Sequence, residues 1–291
     1  MKGIILAAGK GSRLYPMTRS ICKPLLPVYD KPMIYYPLAI LLQAGIRDIL
    51  IIIPPGEEGS FYRLLGSGGS FGVKISYKVQ EMARGIADAF LIGESFIGND
   101  DVCLILGDSI FYSPQISNYL DKVLSYPFGA CIFGYYVDDP NGFCIVELDH
   151  SGKPISIEEK PKHAKSNYAV LGLYFYDNTV LDIVRHLKLS ARGKLEIADV
   201  NRTYLARNKL QVVTCDPDFV WLDTDTVDGL LVSAQTVKRI QNETGGCIAC
   251  LEELAYQQGY ISKQLLEDRA RNYGKTLYGE YLQSRLNKFT E

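Results

Sequence analysis

Residues 3–28 read GIILAAGKGSRLYPMTRSICKPLLPV, and this stretch decides how the rest of the chain is interpreted. The apolar run at residues 4–8 predicts a buried strand, which leads directly into Gly9-Lys10-Gly11-Ser12-Arg13. Glycines at the end of a strand expose backbone N–H groups and allow a polyanion to approach closely. Arg13 and Lys23 add the positive charge that phosphate oxygens require. The stretch therefore predicts a site for a nucleoside triphosphate whose α-phosphate is attacked.

Two better-known phosphate motifs do not fit the sequence. The dinucleotide fingerprint would need a third glycine at position 14, which is Leu14. Gly274-Lys275-Thr276 lacks the glycine that a P-loop requires five residues earlier, because that position is Arg269. An ordinary polar turn between a strand and a helix stays the alternative for the glycine loop taken alone.

Length and composition describe an ordinary α/β protein. The 291 residues are 47% hydrophobic and 22% charged, enough for one large domain or one domain with an appendage. A net charge of −2 argues against a general nucleic-acid binder. The apolar start is too short for a signal peptide, and no stretch approaches the ~20 apolar residues of a membrane span. We expect a cytoplasmic protein with no membrane or nucleic-acid partner.

The seven cysteines are scattered mostly through apolar runs, which favours free thiols over a disulfide framework. Cys247 and Cys250 form a single C-x-x-C pair, and the chain has only three histidines. This is a weak basis for a zinc site or a redox role.

The segments alternate between strand-like and helix-like patterns in the first part of the chain. Strands are predicted at residues 4–8, 49–53, 74–79 and 102–106, and helices at 33–44 and 86–97. This order predicts a doubly wound α/β fold with parallel strands and helical crossovers. In such sheets, ligands bind at the carboxyl ends of the strands.

From about residue 129 the strands become closely spaced, at 130–137, 143–148, 155–158, 169–176 and 210–215. They predict a mixed-sheet, β-rich insertion over one side of the site, and helices return at 195–207 and 227–243. We therefore expect an α/β domain over residues 1–245, with a nucleotide half at about 1–128 and a β-rich part at about 129–226. Residues 246–291 form a predicted C-terminal helical appendage.

Two carboxylates follow apolar runs and are candidates for a magnesium site. Asp108 ends the run Leu104-Ile105-Leu106-Gly107, and Asp223 follows Val220-Trp221-Leu222. Mg²⁺ takes oxygen ligands and commonly uses one or two protein carboxylates. The alternatives are that Asp108 caps the next turn or helix, and that Thr224 or Thr226 caps the helix that follows.

Further polar residues fit a phosphorylated sugar and a base. Glu158-Glu159-Lys160-Pro161 offers a carboxylate for sugar hydroxyls and a cation for a phosphate, although a surface salt bridge is the simpler explanation. Arg192 is another candidate partner for a phosphate. Gln80 and Gly85 could read the edge of a pyrimidine with an amide and an exposed backbone.

Together these segments resemble the sugar nucleotidyltransferase family. The pattern L-A-x-G-x-G-x-R-L-x-P-x-T followed by K-x-L-L-P is similar to its signature, and further similar runs extend over essentially the whole chain. The resemblance implies a Rossmann-like nucleotidyltransferase fold, commonly a homotetramer, in which residues 129–226 form the sugar-binding part. It also implies an enzyme that converts dTTP and α-D-glucose 1-phosphate into dTDP-glucose and pyrophosphate with Mg²⁺.

The resemblance also implies a role for each candidate residue. Arg13 and Lys23 are the expected catalytic residues, and Asp108 and Asp223 the expected metal ligands. The expected nucleotide-binding residues are Leu6, Gly9, Gly11, Ser12, Arg13, Gln80, Gly85 and Asp108. The expected sugar-phosphate-binding residues are Cys144, Glu159, Lys160, Val170 and Arg192.

The chain departs from the family pattern at a few positions: Pro24, Ser109, Phe143, Cys144, Leu171 and Asp225. Cys144 places a side chain beside the expected sugar, where the family usually has glycine. Asp225 adds a carboxylate, which should weaken binding of a dianionic sugar phosphate unless a cation compensates. Two alternatives therefore stay open: a related enzyme that uses another sugar 1-phosphate or UTP, and a catalytically weak nucleotide-binding paralogue.

Overall fold

The computed structural model describes residues 1–126 and 129–288 as an α/β fold with a nine-stranded central sheet. The predicted boundary at residue 128 and residues 289–291 of the predicted appendage lie outside this range. The strands are β1 (Lys2–Leu6), β2 (Pro27–Val28), β3 (Lys31–Pro32), β4 (Asp48–Ile53), β5 (Lys74–Val79), β6 (Val102–Leu106), β7 (Ile110–Tyr112), β8 (Ala130–Tyr136), β9 (Cys144–Leu148), β10 (Pro154–Glu159), β11 (Tyr168–Tyr176), β12 (Leu210–Thr214) and β13 (Val220–Leu222).

The helices connect these strands and complete the chain. They are α1 (Tyr35–Gln43), α2 (Glu58–Leu65), α3 (Asp88–Ile97), α4 (Ile116–Leu124), α5 (Val180–Arg185), α6 (Ile197–Ala206), α7 (Val227–Thr244), α8 (Leu251–Gln257), α9 (Lys263–Tyr273) and α10 (Leu277–Lys288). Within the described residues, none of these helices is long and apolar enough to cross a membrane.

The centre of the sheet consists of parallel strands in the order β6-β1-β4-β5. Their side chains alternate between two buried layers, because successive residues of a strand point to opposite faces. In β4, Ile49 and Ile51 pack in the core that contains α1 and α8, whereas Leu50 and Ile52 pack in the core that contains α3 and α6. The predicted doubly wound arrangement is confirmed.

Strands from the second part of the chain extend this same sheet. β11 pairs antiparallel with β6, β8 pairs antiparallel with β11, and β12 pairs parallel with β8. The predicted mixed sheet is therefore present, and its strands continue the central sheet. The physical reason is that β11 is apolar on both faces, with eight of its nine residues buried, so both faces need covering helices or strands.

A fork in the sheet creates an opening beside β11. One edge of β11 pairs with β8, while the opposite edge is shared between β9 at Tyr168 and Ala169 and β6 from Leu173 onward. Between these two pairings, Val170 and Gly172 have no strand partner on this edge of β11, and both line a cleft. The β9–β10 hairpin forms the far wall of that cleft.

A short ribbon of β7 and β13 brings two distant acidic segments to this opening. Ile110 lies opposite Leu222 in the antiparallel ribbon. The residues just outside the ribbon are therefore neighbours, and the Thr224 hydroxyl donates a hydrogen bond of 3.1 Å to the Asp108 carbonyl.

The C-terminal helices pack on the outer side of α1 and share its core. Their centre is Glu252, which is fully buried and accepts hydrogen bonds from the hydroxyls of Tyr273 (2.8 Å) and Tyr278 (2.6 Å). Arg269 lies 3.5 Å from the same carboxylate. The predicted helices are confirmed, while the division of the chain at residue 245 stays a prediction.

Replacing Glu252 with alanine should destabilise the protein strongly. Two tyrosine hydroxyls and the Arg269 guanidinium would lose a buried carboxylate partner, and we expect the free energy of unfolding to fall by about 3 kcal/mol. Glu280→Ala removes an exposed carboxylate from α10 and should cost less than about 0.5 kcal/mol. Urea unfolding compares the two, and equal losses would contradict the importance of the buried carboxylate.

Candidate active site

A cleft of about 350 Å³ lies at the carboxyl end of β6, in the opening beside β11. A second pocket, of about 160 Å³, adjoins it and is lined by Leu6, Ala7, Gly9, Lys23, Pro24, Leu106 and Asp108. Leu106 and Asp108 belong to both linings. Predicted site residues that line the larger cleft are Arg13, Asp108, Cys144, Glu159, Lys160, Val170 and Asp223.

The glycine loop follows β1 and packs against the segment that carries Lys23. Gly11 has φ +59°, and a β-carbon there would lie 3.0 Å from the β-carbon of Lys23. Glycine allows both the left-handed backbone and this close approach. The Thr18 hydroxyl fixes the turn by donating a hydrogen bond of 2.7 Å to the Gly11 carbonyl. Gly9 and Ser12 are exposed, and Gly9 lines the smaller pocket.

The predicted catalytic cations are held by acidic residues at the boundary of the two pockets. The Lys23 ammonium lies 2.6 Å from Asp108 Oδ2 and 2.6 Å from Asp225 Oδ1. The Arg13 guanidinium lies 2.6 Å from Asp225 Oδ2. The Lys23 side chain is only 6% exposed, whereas that of Arg13 is 68% exposed. Lys23 is therefore a fixed, buried charge, and Arg13 reaches over the cleft from solvent.

The ion pairs shift the pKa values of two members of this cluster. Burial disfavours the charged form of Lys23, but the contacts with Asp108 and Asp225 outweigh it and raise its pKa. Burial also disfavours the Asp225 carboxylate, yet Lys23 and Arg13 hold its pKa below the usual value. The raised pKa of Lys23 stabilises the folded protein below the ordinary lysine pKa. The lowered pKa of Asp225 stabilises it above the ordinary aspartate pKa. The ion pairs of the cluster therefore contribute fully to stability at pH values between the ordinary pKa of aspartate and that of lysine.

Asp108 and Asp223 both line the larger cleft, as the metal prediction requires. Asp108 Oδ2 accepts from Lys23, and Asp223 Oδ1 accepts the backbone N–H of Asp225 at 2.9 Å. Across residues 1–126 and 129–288, no group of three or more acidic, histidine or cysteine side chains is arranged to hold a metal. The donor set nevertheless fits Mg²⁺, which commonly takes one or two carboxylates and completes its shell with phosphates and water.

Of the two threonines that could cap the helix after Asp223, only Thr226 does so. Thr226 is the N-cap of α7, and its hydroxyl accepts the Gly229 N–H at 2.9 Å. Thr224 instead bonds to the Asp108 backbone. Asp223 is therefore not required as the cap of this helix.

The residues predicted to bind the base lie beside the loop that follows β5. Gln80 is buried, and its amide nitrogen donates a hydrogen bond of 2.9 Å to Asp88. Gly85 has φ +106°, and a β-carbon there would lie 2.3 Å from the carbonyl oxygen of Leu195. Any larger residue at position 85 would push this loop away from the segment that precedes α6. Of this loop, Ile86 reaches the larger cleft.

The predicted sugar side is formed by the β9–β10 hairpin and β11. Cys144 lies opposite Glu159 across the hairpin, and both line the cleft. Burial and the neighbouring Glu159 raise the pKa of the Cys144 thiol, so it stays protonated and donates to the carboxylate. Glu159 Oε1 also accepts from Arg192 at 2.9 Å, and Arg192 is held 3.0 Å from Glu196. Arg192 thus supports Glu159 from outside the cleft lining.

Several lining residues were not among the predicted binding or catalytic residues, although Phe143 was noted as a departure from the family pattern on the sugar side. Phe143 packs edge-on against Trp221, with ring centroids 5.2 Å apart, and gives the cleft an apolar wall. The other unpredicted lining residues include Ile86, Asn141, Tyr174 and Thr224. The signal for Trp221 was available, since it is the single tryptophan of the chain and stands two residues before Asp223.

The departures from the family pattern are concentrated at this site. Ser109, Phe143, Cys144 and Asp225 line the larger cleft, and Pro24 lines the smaller pocket. Leu171 is fully buried in the core on the opposite face of β11. Asp225, expected to weaken anion binding, has two cations as partners.

Cys247 and Cys250 lie away from the cleft, next to α8. A hydrogen bond from Cys250 and the nearby Lys31 hold the pKa of Cys247 below its usual value, against the effect of burial. Burial raises the pKa of Cys250. The pair lies outside any metal-ligand group of the described chain, and its role stays open.

Replacing Lys23 with methionine removes the cation and keeps much of the side-chain volume. At neutral pH we expect the free energy of unfolding to fall by about 1.5 kcal/mol, a low value for bonds to charged groups because solvent reaches both carboxylates. The lowered pKa of Asp225 makes its contribution present above the ordinary aspartate pKa of about 4 and lost below it. The destabilisation caused by Lys23→Met should therefore be smaller at about pH 3. Urea unfolding at both pH values measures it.

Lys10→Met is the matched control, because it removes an exposed charge from the neighbouring glycine loop. It should change the free energy of unfolding by less than about 0.5 kcal/mol at either pH. A Lys23→Met loss that is the same at both pH values would show that the ion pairs do not cause it.

Comparison of the chain with known proteins shows which family it belongs to. The family model described as nucleotidyl transferase matches residues 2–239. The glucose-1-phosphate thymidylyltransferase of Neisseria meningitidis is 52% identical over 288 residues, which cover 99% of this chain and 100% of that protein. The protein of the same name from Mycolicibacterium smegmatis is 49% identical over 99% of this chain and 100% of its own length.

Solved structures agree with these matches. A Bacillus anthracis protein assigned as a glucose-1-phosphate thymidylyltransferase and crystallised with sucrose superposes with a TM-score of 0.75 at 44% identity, over 81% of this chain and 94% of that chain. UDP-glucose pyrophosphorylase bound to UDP-glucose gives a TM-score of 0.72 at 22% identity, over 82% and 98% of the two chains, and shows a shared fold. The chain therefore belongs to the nucleotidyl transferase family, a group of enzymes.

Proposed function

We propose that this chain is a glucose-1-phosphate thymidylyltransferase, which makes dTDP-glucose and pyrophosphate from dTTP and α-D-glucose 1-phosphate. The observation that carries the proposal is the charge cluster at the boundary of the two pockets. Lys23 and Arg13 lie there with Asp108 and Asp225, between the glycine loop and the sugar-side cleft. About 50% identity to relatives of that name over nearly the whole chain supports the substrate pair.

The reaction requires positioning and charge neutralisation more than covalent chemistry. An oxygen of the sugar phosphate attacks the α-phosphorus of dTTP, a new P–O bond forms, and the bond to the β-phosphate breaks as pyrophosphate leaves. Gly9, Gly11 and Ser12 would hold the triphosphate with backbone N–H groups and a hydroxyl. Lys23 and Arg13 would neutralise the charge that develops on the phosphate oxygens.

On the sugar side, the residues of the hairpin would orient the acceptor. Glu159 would accept hydrogen bonds from sugar hydroxyls, and Lys160 would face the phosphate. Val170 and Cys144 would close the apolar surface against the ring. Gln80 and Gly85 would read the base. The amide nitrogen of Gln80 donates one of its two N–H groups to Asp88, which leaves one N–H donor and the carbonyl oxygen as an acceptor.

The proposed cofactor is Mg²⁺, which Asp108 and Asp223 would hold. When bound, it supplies positive charge to the phosphate oxygens and lowers the cost of bringing two phosphorylated substrates together. Asp108 must then share its carboxylate between the metal and Lys23.

One observation favours the alternative of a different sugar 1-phosphate. Cys144 and Phe143 fill the sugar side of the cleft with a thiol and an aromatic ring, and the thiol is already bonded to Glu159. A sugar that presents fewer hydroxyls to this wall would lose less hydration on binding. The substrate assay below separates the two candidates.

Pyrophosphate release, measured over a grid of dTTP, UTP, dATP and GTP against several sugar 1-phosphates, tests the proposal. We expect the highest kcat/KM for dTTP with glucose 1-phosphate, at least roughly tenfold above any other pair. A higher value with another sugar phosphate would favour the alternative acceptor. Tight dTTP binding without turnover for any pair would indicate the nucleotide-binding paralogue instead.

Glu159→Gln tests the assignment of the sugar side. The amide keeps the size of the side chain but accepts hydrogen bonds less strongly, so KM for the sugar phosphate should rise about tenfold while KM for dTTP stays unchanged. Glu158→Gln is the matched control, because Glu158 pairs with Lys165 at 3.0 Å and is absent from the described cleft lining. Steady-state kinetics with each substrate varied in turn measures both. A parallel rise in the two KM values would contradict the assignment.

Two predictions from the sequence analysis stay proposals. The chain is proposed to work as a homotetramer, and its site of action is proposed to be the cytoplasm. Light scattering after size-exclusion chromatography measures the first.

A further inference from the structure

The Asp225 carboxylate occupies the space between the two proposed catalytic cations. Its Oδ2 atom lies 2.6 Å from Arg13 Nη2, and its Oδ1 atom lies 2.6 Å from Lys23 Nζ. Each carboxylate oxygen therefore takes one cation. Two oxygens of a bound phosphate chain would need the same two partners. Asp225 and a triphosphate thus compete for the same positive charges.

The backbone that carries Asp225 is held in place on both sides. Its N–H donates to Asp223 Oδ1 at 2.9 Å, and the preceding residue, Thr224, bonds to the Asp108 carbonyl at 3.1 Å. The following residue, Thr226, is the N-cap of α7. The Asp225 side chain is 38% exposed. The carboxylate can therefore leave both cations by side-chain rotation into solvent, while the loop keeps its place.

The cluster as a whole is not a positive site. Arg13 and Lys23 face three carboxylates, those of Asp108, Asp223 and Asp225, so these side chains carry one net negative charge at neutral pH. A free nucleoside triphosphate is a tetra-anion there. Its entry would displace Asp225 from both cations and leave that carboxylate among like charges. A metal-complexed nucleotide carries half the negative charge, so the same displacement of Asp225 meets much less repulsion.

We propose that Asp225 makes the site select the divalent-metal complex of a nucleoside triphosphate over the free tetra-anion. The inference rests on the proposed function, because it takes Arg13 and Lys23 as the triphosphate-binding cations. Asp225 is then a specificity-determining residue. It keeps both cations neutralised in the free enzyme and yields them only to a ligand that brings its own positive charge.

Equilibrium dialysis with labelled dTTP tests the proposal without any turnover. The dissociation constant is measured for the full-length wild type and for Asp225→Asn, in excess EDTA and in excess Mg²⁺. In EDTA the variant should bind dTTP at least about tenfold more tightly than the wild type, because both cations are free of a charged competitor. In Mg²⁺ the two proteins should agree within about threefold. The metal dependence of dTTP binding therefore shrinks in the variant.

Two further variants separate this role from general effects. Asp228→Asn removes the same charge three residues further on, from an exposed position in the first turn of α7, and should keep the wild-type metal dependence. Asp225→Glu keeps the carboxylate and should also retain it. Circular dichroism and thermal unfolding establish that each variant is folded.

Several results would overturn the proposal. One is a dissociation constant of Asp225→Asn for dTTP in EDTA that lies within about twofold of the wild-type value. Another is a variant that binds dTTP more tightly than wild type by the same factor in EDTA and in Mg²⁺. If Asp228→Asn tightened dTTP binding by the same factor, the effect would come from the overall charge of the protein. Wild type that binds no dTTP even with Mg²⁺ would overturn the proposed function as well, and that outcome is distinct because it appears before any variant is compared.

Discussion

The buried ammonium of Lys23 joins three separate parts of the chain at one point. Its partners Asp108 and Asp225 lie 85 and 202 residues away in the sequence, and both contacts are 2.6 Å. A cation that is only 6% exposed requires such partners, since an unpaired charge in the interior is costly. This one group therefore ties the end of β6 and the start of α7 to the segment against which the glycine loop packs.

The fork in the sheet gives the site its two different halves. Because β11 pairs with β9 at one end and with β6 at the other, the space between them cannot be filled by a strand. The β6 side of that space presents the Lys23 cluster, and the side formed by the hairpin and β11 presents Phe143, Cys144 and Val170 together with Glu159 and Lys160. Such a division suits a reaction between a polyphosphate and a sugar phosphate, in which one partner needs neutralisation and the other needs a shaped surface.

Sequence patterns predicted the central strands and the main helices to within a few residues, because the apolar runs of β1, β4 and β6 are long and buried on both faces. Asp108 and Asp223 were predicted as a metal pair on the condition that their two segments converge, and the β7–β13 ribbon, which is separate from the central sheet, brings them to one cleft. The continuation of the central sheet into β11, β8 and β12 was missed. Which strand pairs with which depends on non-local contacts, and a local pattern does not contain them.

Asp225 illustrates the difference between what the amino-acid sequence predicts and what only the tertiary structure shows. The residues of the chain by themselves determined that a glycine loop, two cations and several acidic residues follow apolar strands, because these are properties of local composition and spacing. Only the tertiary structure decided that Asp225 bridges Arg13 and Lys23, so that an added negative charge neutralises the cations of the site. The reason is physical: the ribbon of β7 and β13 sets this neighbourhood, and Coulombic pairing acts through space between residues far apart in the chain.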